Sequence, residues 1–405
     1  MLQIIKMAFR DLGRNRRRTF FSALAVGVSL GILILMASVI NGEIGGAYDA
    51  AIRLQSGHIQ VRATSYDENK SSLKWQDLVE NPDQIATQIA ALPQVKAATP
   101  RLFASGFVAT GNESAGVRVT GIDPASAASD PYRQGLISGS YLTADDAEGI
   151  LLGQPLAAKL HLNAGDNVSL SVNTSNGDVQ EQTFVVRGIY STNTYGFDSV
   201  TVFLPLAKAQ AITQTQNHAS TIFVLLKDNA YTDAVASALK TTSLKVLTWR
   251  DLNPLTVQFE SLANSYIGIF YLIVLAIAAS VVINTLIMSV YERTREVGIL
   301  SAVGMRGSQI MLMFLAESAL LAVGGVLLGA LMGWLATLLF NIHGFYIAKM
   351  GITGILVGNS IFARLTLGSL VNLSILTFII TILAGLYPAI MASRLQPVEA
   401  LRAEK

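Results

Sequence analysis

Apolar residues are gathered into four blocks, at 20–40, 267–290, about 310–340 and about 365–391. About 20 consecutive apolar residues cross the roughly 30 Å of bilayer hydrocarbon. The blocks therefore predict transmembrane helices at 19–40, 266–290, 309–340 and 365–391. The third exceeds the need, which predicts tilt or extension beyond the bilayer. Residues 41–265 instead have ordinary soluble composition. Segments 58–61, 116–121, 167–172, 183–190 and 221–226 alternate or are rich in β-branched residues, and several are bounded by Gly, Asn or Asp. Segments 77–92, 204–213 and 233–239 carry helical patterns, and 173–178 carries an Asn-Gly turn. The pattern predicts a membrane protein with four transmembrane α-helices and a large α+β extracytoplasmic domain inserted between helices 1 and 2. The remaining pieces are 1–18, a loop at 291–308, a short external loop at 341–364 and a tail at 392–405.

The first block is too long for the 7–15-residue apolar core of a signal peptide, and no A-x-A cleavage site follows it. It reads as an uncleaved anchor. Before it, Leu2, Ile5, Phe9 and Leu12 recur every three or four residues, with Lys6, Arg10 and Arg14 elsewhere on the wheel. That predicts an amphipathic helix lying in the interface; the competing reading is a solvated basic tail.

The composition agrees. Of 405 residues 51% are hydrophobic and 14% charged, against about 25% charged in soluble domains. This excludes an all-soluble or disordered chain. A net charge of +2 suggests no nucleic-acid partner, and zero cysteines exclude disulfides and thiolate chemistry. Segments 1–18, 291–308 and 392–405 hold twelve basic and five acidic residues; 41–265 holds fifteen basic and twenty-one acidic. Lys and Arg concentrate on the cytoplasmic side. Both termini and the 291–308 loop are thus expected inside, with the large domain outside.

Candidate chemistry is sparse. No Gly-Lys dipeptide occurs, so the chain has no phosphate-cradling P-loop. His58, His161, His218 and His343 form no paired metal-ligand spacing. Gly27-Val28-Ser29-Leu30-Gly31 matches the G-x-S-x-G nucleophile motif, but it sits in an apolar span where the backbone must be helical. No catalytic, cofactor-binding or metal residue is therefore expected. Gly27 and Gly31 read instead as a helix-packing surface, as do Gly325, Gly329 and Gly333. Glu317 is the one ionisable residue well inside a span, which marks a functional candidate. The bland alternative is a structural role, bonded to a backbone group, Asn284 or Thr285.

The 291–308 loop is the most informative soluble stretch. Glu292, Arg295 and Glu296 fall on one helical face and can pair. Val297, Leu300 and Val303 start an apolar stripe, and Gly304 or Gly307 can end the helix. A short helix under the membrane, charged on one side and apolar on another, is shaped to dock into a partner's groove.

Here the sequence resembles the FtsX-like permeases of ABC transporters, the type VII or mechanotransmission group. Glu292-Arg293-Thr294-Arg295-Glu296-Val297-Gly298-Ile299-Leu300 with Ala302 and Gly304 is similar to that family's E-R-x-x-E-[IV]-G-x-L-x-A-x-G signature. Tyr387-Pro388-Ala389, Ala392, Leu395, Pro397 and Glu399-Ala400-Leu401 resemble its C-terminal pattern. Ala8-Phe9-Arg10 and 15–19 also fit, and 56–61, 151–166 and 197–198 resemble the Lol-type lipoprotein-releasing and MacB-type permeases. The resemblance implies a permease subunit in the bacterial inner membrane, working with a second permease chain, identical or related, and two copies of a separate cytoplasmic ATPase. ATP and Mg would sit on that ATPase and no cofactor on this chain. Glu292, Arg293, Arg295, Glu296, Val297, Gly298, Leu300 and Gly304 would form the coupling helix, with Val297 and Leu300 as its apolar anchor. Only about 18 residues precede the first span, which favours the Lol-type arrangement of separate chains. The implied work is extraction or export of a lipoprotein or other hydrophobic cargo, with membrane lipid and a periplasmic adaptor or carrier as further partners. The alternative is a mechanotransmitting regulator of an outside hydrolase, or a signalling scaffold.

Overall fold

All four apolar blocks become helix, and each helix outruns its block at one end or both. In chain order the helices are α1 (Leu2–Arg14), α2 (Arg16–Ala50), α3 (Pro82–Ala90), α4 (Asp130–Gln134), α5 (Gln154–Lys159), α6 (Tyr195–Asp198), α7 (Leu206–Thr213), α8 (Thr232–Leu239), α9 (Trp249–Leu252), α10 (Pro254–Glu292), α11 (Thr294–Ala302), α12 (Gly307–His343) and α13 (Leu367–Ser393). The computed structural model describes residues 2–14, 16–67, 73–111, 113–240, 244–346, 356 and 358–396. The predicted tail past residue 396, and 347–355 and 357 of the predicted 341–364 loop, lie outside them. Helices α2, α10, α12 and α13 are long and apolar enough to cross a membrane. Helix α10 starts twelve residues before the predicted span at 266, because a helix can continue through polar positions once its backbone bonds are made.

Two compact units result. One comprises Met1–Glu43, Glu260–Phe345 and Ile361–Lys405; the other comprises Ile44–Phe259 and Tyr346–Ser360. The expected 341–364 external loop is thus divided between the two units. Leu356 packs on the cluster of Leu54, Tyr132 and Phe203, and the Asn359 N–H donates to the Asn193 carbonyl at 2.8 Å.

In the helical unit the two glycine rows face each other. A Cβ on Gly329 would lie 2.7 Å from the Gly27 carbonyl oxygen and from the Leu30 Cβ, and one on Gly325 would lie 2.6 Å from Val26. A Cβ on Gly333 would lie 2.7 Å from Ile34. Without side chains at these turns α2 and α12 approach closely, which is how helices pack where no hydrophobic effect drives them together. Ser29 donates its hydroxyl to the Ala25 carbonyl at 2.9 Å, inside the helix. Gly329→Leu is expected to destabilise this unit by about 1–3 kcal/mol through overpacking. Gly268→Leu, in open space, should be near neutral. Thermal unfolding of the two variants in detergent separates them.

The other unit holds β1 (Ile59–Ala63), β2 (Val79–Glu80), β3 (Val95–Thr110), β4 (Glu113–Ile122), β5 (Leu136–Gly139), β6 (Gly149–Gly153), β7 (Asn167–Asn173), β8 (Val179–Tyr190), β9 (Thr201–Pro205), β10 (His218–Ala219), β11 (Thr221–Leu226) and β12 (Leu244–Thr248). Ten of them form one sheet in the order β12-β1-β11-β3-β4-β9-β6-β8-β5, with β7 pairing both β3 and β8. That double pairing closes β3, β4, β9, β6, β8 and β7 into a ring, which leaves those strands without a free edge. Alternate residues fill its interior: Leu102, Ala104 and Val108 on β3, Val117 and Val119 on β4, Val168 and Leu170 on β7. A second core lies under β1 and β11, where Ile59, Val61, Ile222 and Val224 meet Ile89 of α3 and Val235 of α8.

Two helix expectations are shortened. The 77–92 segment is helical only from Pro82, because Asn81 adopts a left-handed backbone (φ 49°) that stops propagation towards the N-terminus. The 204–213 helix starts at Leu206, because Pro205 closes β9 with extended backbone. The 173–178 turn joins β7 to β8, with Gly177 at φ 89°.

Candidate coupling site

The signature residues occupy a break between two helices. Helix α10 ends at Glu292, Arg293 leaves the helical region (φ −113°, ψ 13°), and α11 runs from Thr294 to Ala302. The Thr294 hydroxyl donates to the Val290 and Tyr291 carbonyls, both at 3.0 Å, and so satisfies the end of α10. Gly304 turns the chain back at φ 101° towards α12. The single helix expected over 292–304 is therefore nine residues long, with Glu292, Arg293, Val303 and Gly304 outside it.

Arg293 is the hub. Its side chain is 11% exposed. Nη2 donates to Asp11 Oδ2 at 2.6 Å and Nε to Glu296 Oε2 at 3.2 Å. Nη1 lies 3.7 Å from Glu317 Oε2, too long for a hydrogen bond, and has no other partner among the described residues. The guanidinium carbon also stands 5.8 Å from the centre of the Phe314 ring. Two further pairs flank the hub: Arg14 to Glu296 and Arg18 to Glu292, each at 2.6 Å.

These contacts correct three expectations. Among the described residues Glu292 and Glu296 do not pair with Arg295; Arg18 of α2 holds Glu292, and Arg14 of α1 together with Arg293 holds Glu296. Glu317 does not turn to Asn284 or Thr285. Its partners are Arg293 and the Ser289 hydroxyl, which donates at 3.5 Å. Thr285 bonds Ser22 instead, and Asn284 faces outward. Arg293 is committed inside the unit rather than offered to a partner.

Of the two residues expected as the apolar anchor, one is turned inward. Val297 is 1% exposed and packs with Val290, Ile310, Met313, Phe314, Ala389 and Ala392. Gly298 is buried beside it and Leu300 is half-buried. Arg295 and Ile299 on α11 and Val303 just past its end, spaced by four, are turned outward, with Ile299 49% and Val303 83% exposed. Sequence reasoning missed Ile299, because an apolar residue on each face of a short helix gives no periodicity that distinguishes inward from outward.

Burial of Glu296 works to raise its carboxyl, but the hydrogen bonds from Arg14 and Arg293 outweigh that and hold it below the ordinary value. A depressed carboxylate stabilises above its unfolded titration range and loses that contribution as pH falls through the folded one. Acid below the ordinary carboxylate range, and not milder acid, should therefore loosen the grip of α1 on α11. Between them lies a groove of about 1170 Å³, lined by Met7, Phe9, Arg14, Glu296, Ile299 and Leu300 among others.

The other unit carries an open groove of about 1090 Å³ across β3, β4, β7 and β9. Phe107, Val179, Val200 and Leu255 line it and are 63%, 68%, 45% and 52% exposed. Exposed apolar residues gathered in one concavity mark a binding surface.

Residues 19–242, more than half of the chain, match the MacB-like periplasmic core domain, and 268–397 match the FtsX-like permease C-terminal domain. The chain belongs to the MacB/FtsX-like permease family. Four transmembrane helices with a periplasmic domain between the first and second are this family's arrangement here too. The LolC transmembrane protein of the lipoprotein-releasing system from Neisseria meningitidis is 23% identical, with 98% of each chain covered. The macrolide export ATP-binding/permease protein MacB from Rhodospirillum rubrum is 29% identical over 99% of this chain, and that from Shewanella sp. is 24% identical over 99%. This chain spans 60% of the length of each of those two MacB proteins. The periplasmic region of MacB from Actinobacillus actinomycetemcomitans is 16% identical with a TM-score of 0.35, covering 51% of this chain and 95% of that one. The coupling signature falls inside the FtsX-like region.

Proposed function

We propose that this FtsX-like permease is the membrane subunit of an ABC transporter, driven by a separate cytoplasmic ATPase and acting on a hydrophobic cargo at the periplasmic face of the inner membrane. The observation that carries this reading is the two-sided build of α11. Val297 and the Arg293 ion pairs tie it to its own unit, while Arg295, Ile299 and Val303 face out. A short helix held on one side and bare and apolar on the other is built to pass a push between a partner and the spans. ATP and Mg would sit on that partner. The exposed apolar groove of the periplasmic unit supports a hydrophobic cargo, and the likeness to LolC supports a lipoprotein.

A second permease chain completes the assembly. Helix α10 is the least buried of the four spans, with 22% of its most apolar window buried against 50% for α2. Its outward face carries Ala276, Ser280 and Asn284 at spacings of four. Small and polar residues there suit contact with another helix better than contact with lipid. Because the chain lacks cysteine, Ser280→Cys should give an oxidant-dependent disulfide dimer in membranes, or a crosslink to a related chain. Leu327→Cys on α12, also exposed, should not.

The direct test is co-purification with ATP turnover. The tagged chain is expected to capture an ABC ATPase. Turnover should appear in that complex and be absent from the chain stripped of it. Turnover by the stripped chain, or the absence of any ATPase from the complex, contradicts the proposal.

A further inference from the structure

The geometry points to a binding site for the phosphate headgroup of an anionic phospholipid, at the start of α2. A cavity of about 500 Å³ is lined there by Gly13, Arg14, Arg16, Arg17, Arg18 and Glu292. Four guanidiniums thus share the walls with one carboxylate. Two are already matched, Arg18 by Glu292 and Arg14 by Glu296. Arg16 and Arg17 are exposed, and among the described residues no carboxylate pairs with either. Arg16 Nε donates to the Gly13 carbonyl at 3.3 Å, which holds this guanidinium over the cavity's glycine edge. The surplus of two positive charges calls for an anion, and arginine forks bind phosphate oxygens in pairs.

Depth and surroundings choose a lipid over an acidic protein surface. The apolar span begins at Phe20, four residues after Arg16, which is about 6 Å along a helix. The headgroup layer adds roughly 5–7 Å on each side of the hydrocarbon. Arg16 and Arg17 therefore lie at phosphate depth. Phe9, Phe20 and Phe21 flank the arginines and are 70%, 55% and 64% exposed. Phe20 and Phe21 meet edge to face at 5.8 Å. Aromatic rings bared beside uncompensated arginines suit the boundary between acyl chains and headgroups. A carboxylate-bearing protein surface would leave those rings in water. Arg14 and Arg18 also hold the two glutamates that flank the α10–α11 break, so the lipid site and the coupling segment share a wall.

The test uses delipidated full-length chain in detergent, titrated with phosphatidylglycerol or phosphatidylcholine and read by native mass spectrometry. Phosphatidylglycerol is expected to bind the wild type preferentially. Each basic residue near an anionic lipid is worth about fivefold in affinity. Arg16→Gln/Arg17→Gln should therefore weaken phosphatidylglycerol about thirtyfold and leave phosphatidylcholine unchanged. Both side chains are exposed, so the variant should fold, and its thermal midpoint without lipid checks this. Arg295→Gln/Arg306→Gln removes the same charge elsewhere on the unit and should have little effect. Soluble glycerol phosphate at equal concentration should not displace the lipid. Four results overturn the site: equal affinity for both lipids, unchanged affinity in the Arg16/Arg17 variant, the same loss in the Arg295/Arg306 variant, or displacement by glycerol phosphate. Loss of ATPase capture with lipid binding intact also overturns it, by making the patch a protein surface.

Discussion

Arg293→Met is expected to unfold or severely loosen the helical unit. Asp11 and Glu317 have side chains 12% and 6% exposed and share this one guanidinium. Removing one partner of a buried ion pair leaves an uncompensated charge and costs about 3–5 kcal/mol. At about 2–4 °C per kcal/mol for a unit of this size, the thermal midpoint in detergent should fall by roughly 6–20 °C. The loss belongs to the stranded carboxylates rather than to the missing guanidinium. Adding Asp11→Asn and Glu317→Gln to Arg293→Met should therefore recover much of it, because neutral amides of similar shape replace buried charges. A shift below about 2 °C in the single variant would mean that water reaches the cluster and that the hub carries little. The same experiment bears on Glu317. Glu317→Gln alone should be tolerated if the acid only balances Arg293. It should abolish coupled turnover without a stability loss if the acid has a working role in the spans.

Ile299→Asp with Val303→Asp is expected to release the proposed ATPase while leaving the permease folded. Ile299 is exposed on α11 and Val303 just past its end, so their replacement disturbs little packing within the chain. Losing an apolar anchor at the centre of an interface costs about 2–4 kcal/mol, or roughly 30- to 1000-fold in affinity. Val297→Asp should behave in the opposite way. It buries a charge among Val290, Met313 and Phe314, so the permease itself should lose stability before any partner is added. Quantitative pull-down of the ATPase, paired with the thermal midpoint of the permease alone, separates the two classes. If Val297→Asp leaves the permease stable and removes the ATPase, the inward and outward faces of α11 have been exchanged.

The features legible in the sequence share a physical cause: they are properties of a single segment. A block of 20 apolar residues must become a spanning helix because the bilayer offers its backbone no other hydrogen-bond partners. That rule located α2, α10, α12 and α13. It also disqualified the nucleophile-like pentad at Gly27–Gly31, whose serine spends its hydroxyl within α2. The glycine rows were legible because small residues every fourth position mark one helix face. The turn at Gly177 was legible because Asn-Gly needs no tertiary support. Strand β3 was not. It carries Pro100 and a run of small residues, and it becomes a 16-residue strand only because β4, β7 and β11 pair along it.

The coupling site divides along the same line. Sequence alone determined that a short amphipathic helix, with a charged entry and a glycine exit, lies between the second and third spans. Only the tertiary structure decided what its residues do. Arg293 meets Asp11 across 282 positions of chain, and no local pattern encodes a pairing at that separation. Val297 and Ile299 are equally apolar and two residues apart. One is buried and the other bare because the ends of α12 and α13 cover a single side of α11. Local propensity makes a helix but is indifferent to which face is covered; the packing of distant helices makes that choice.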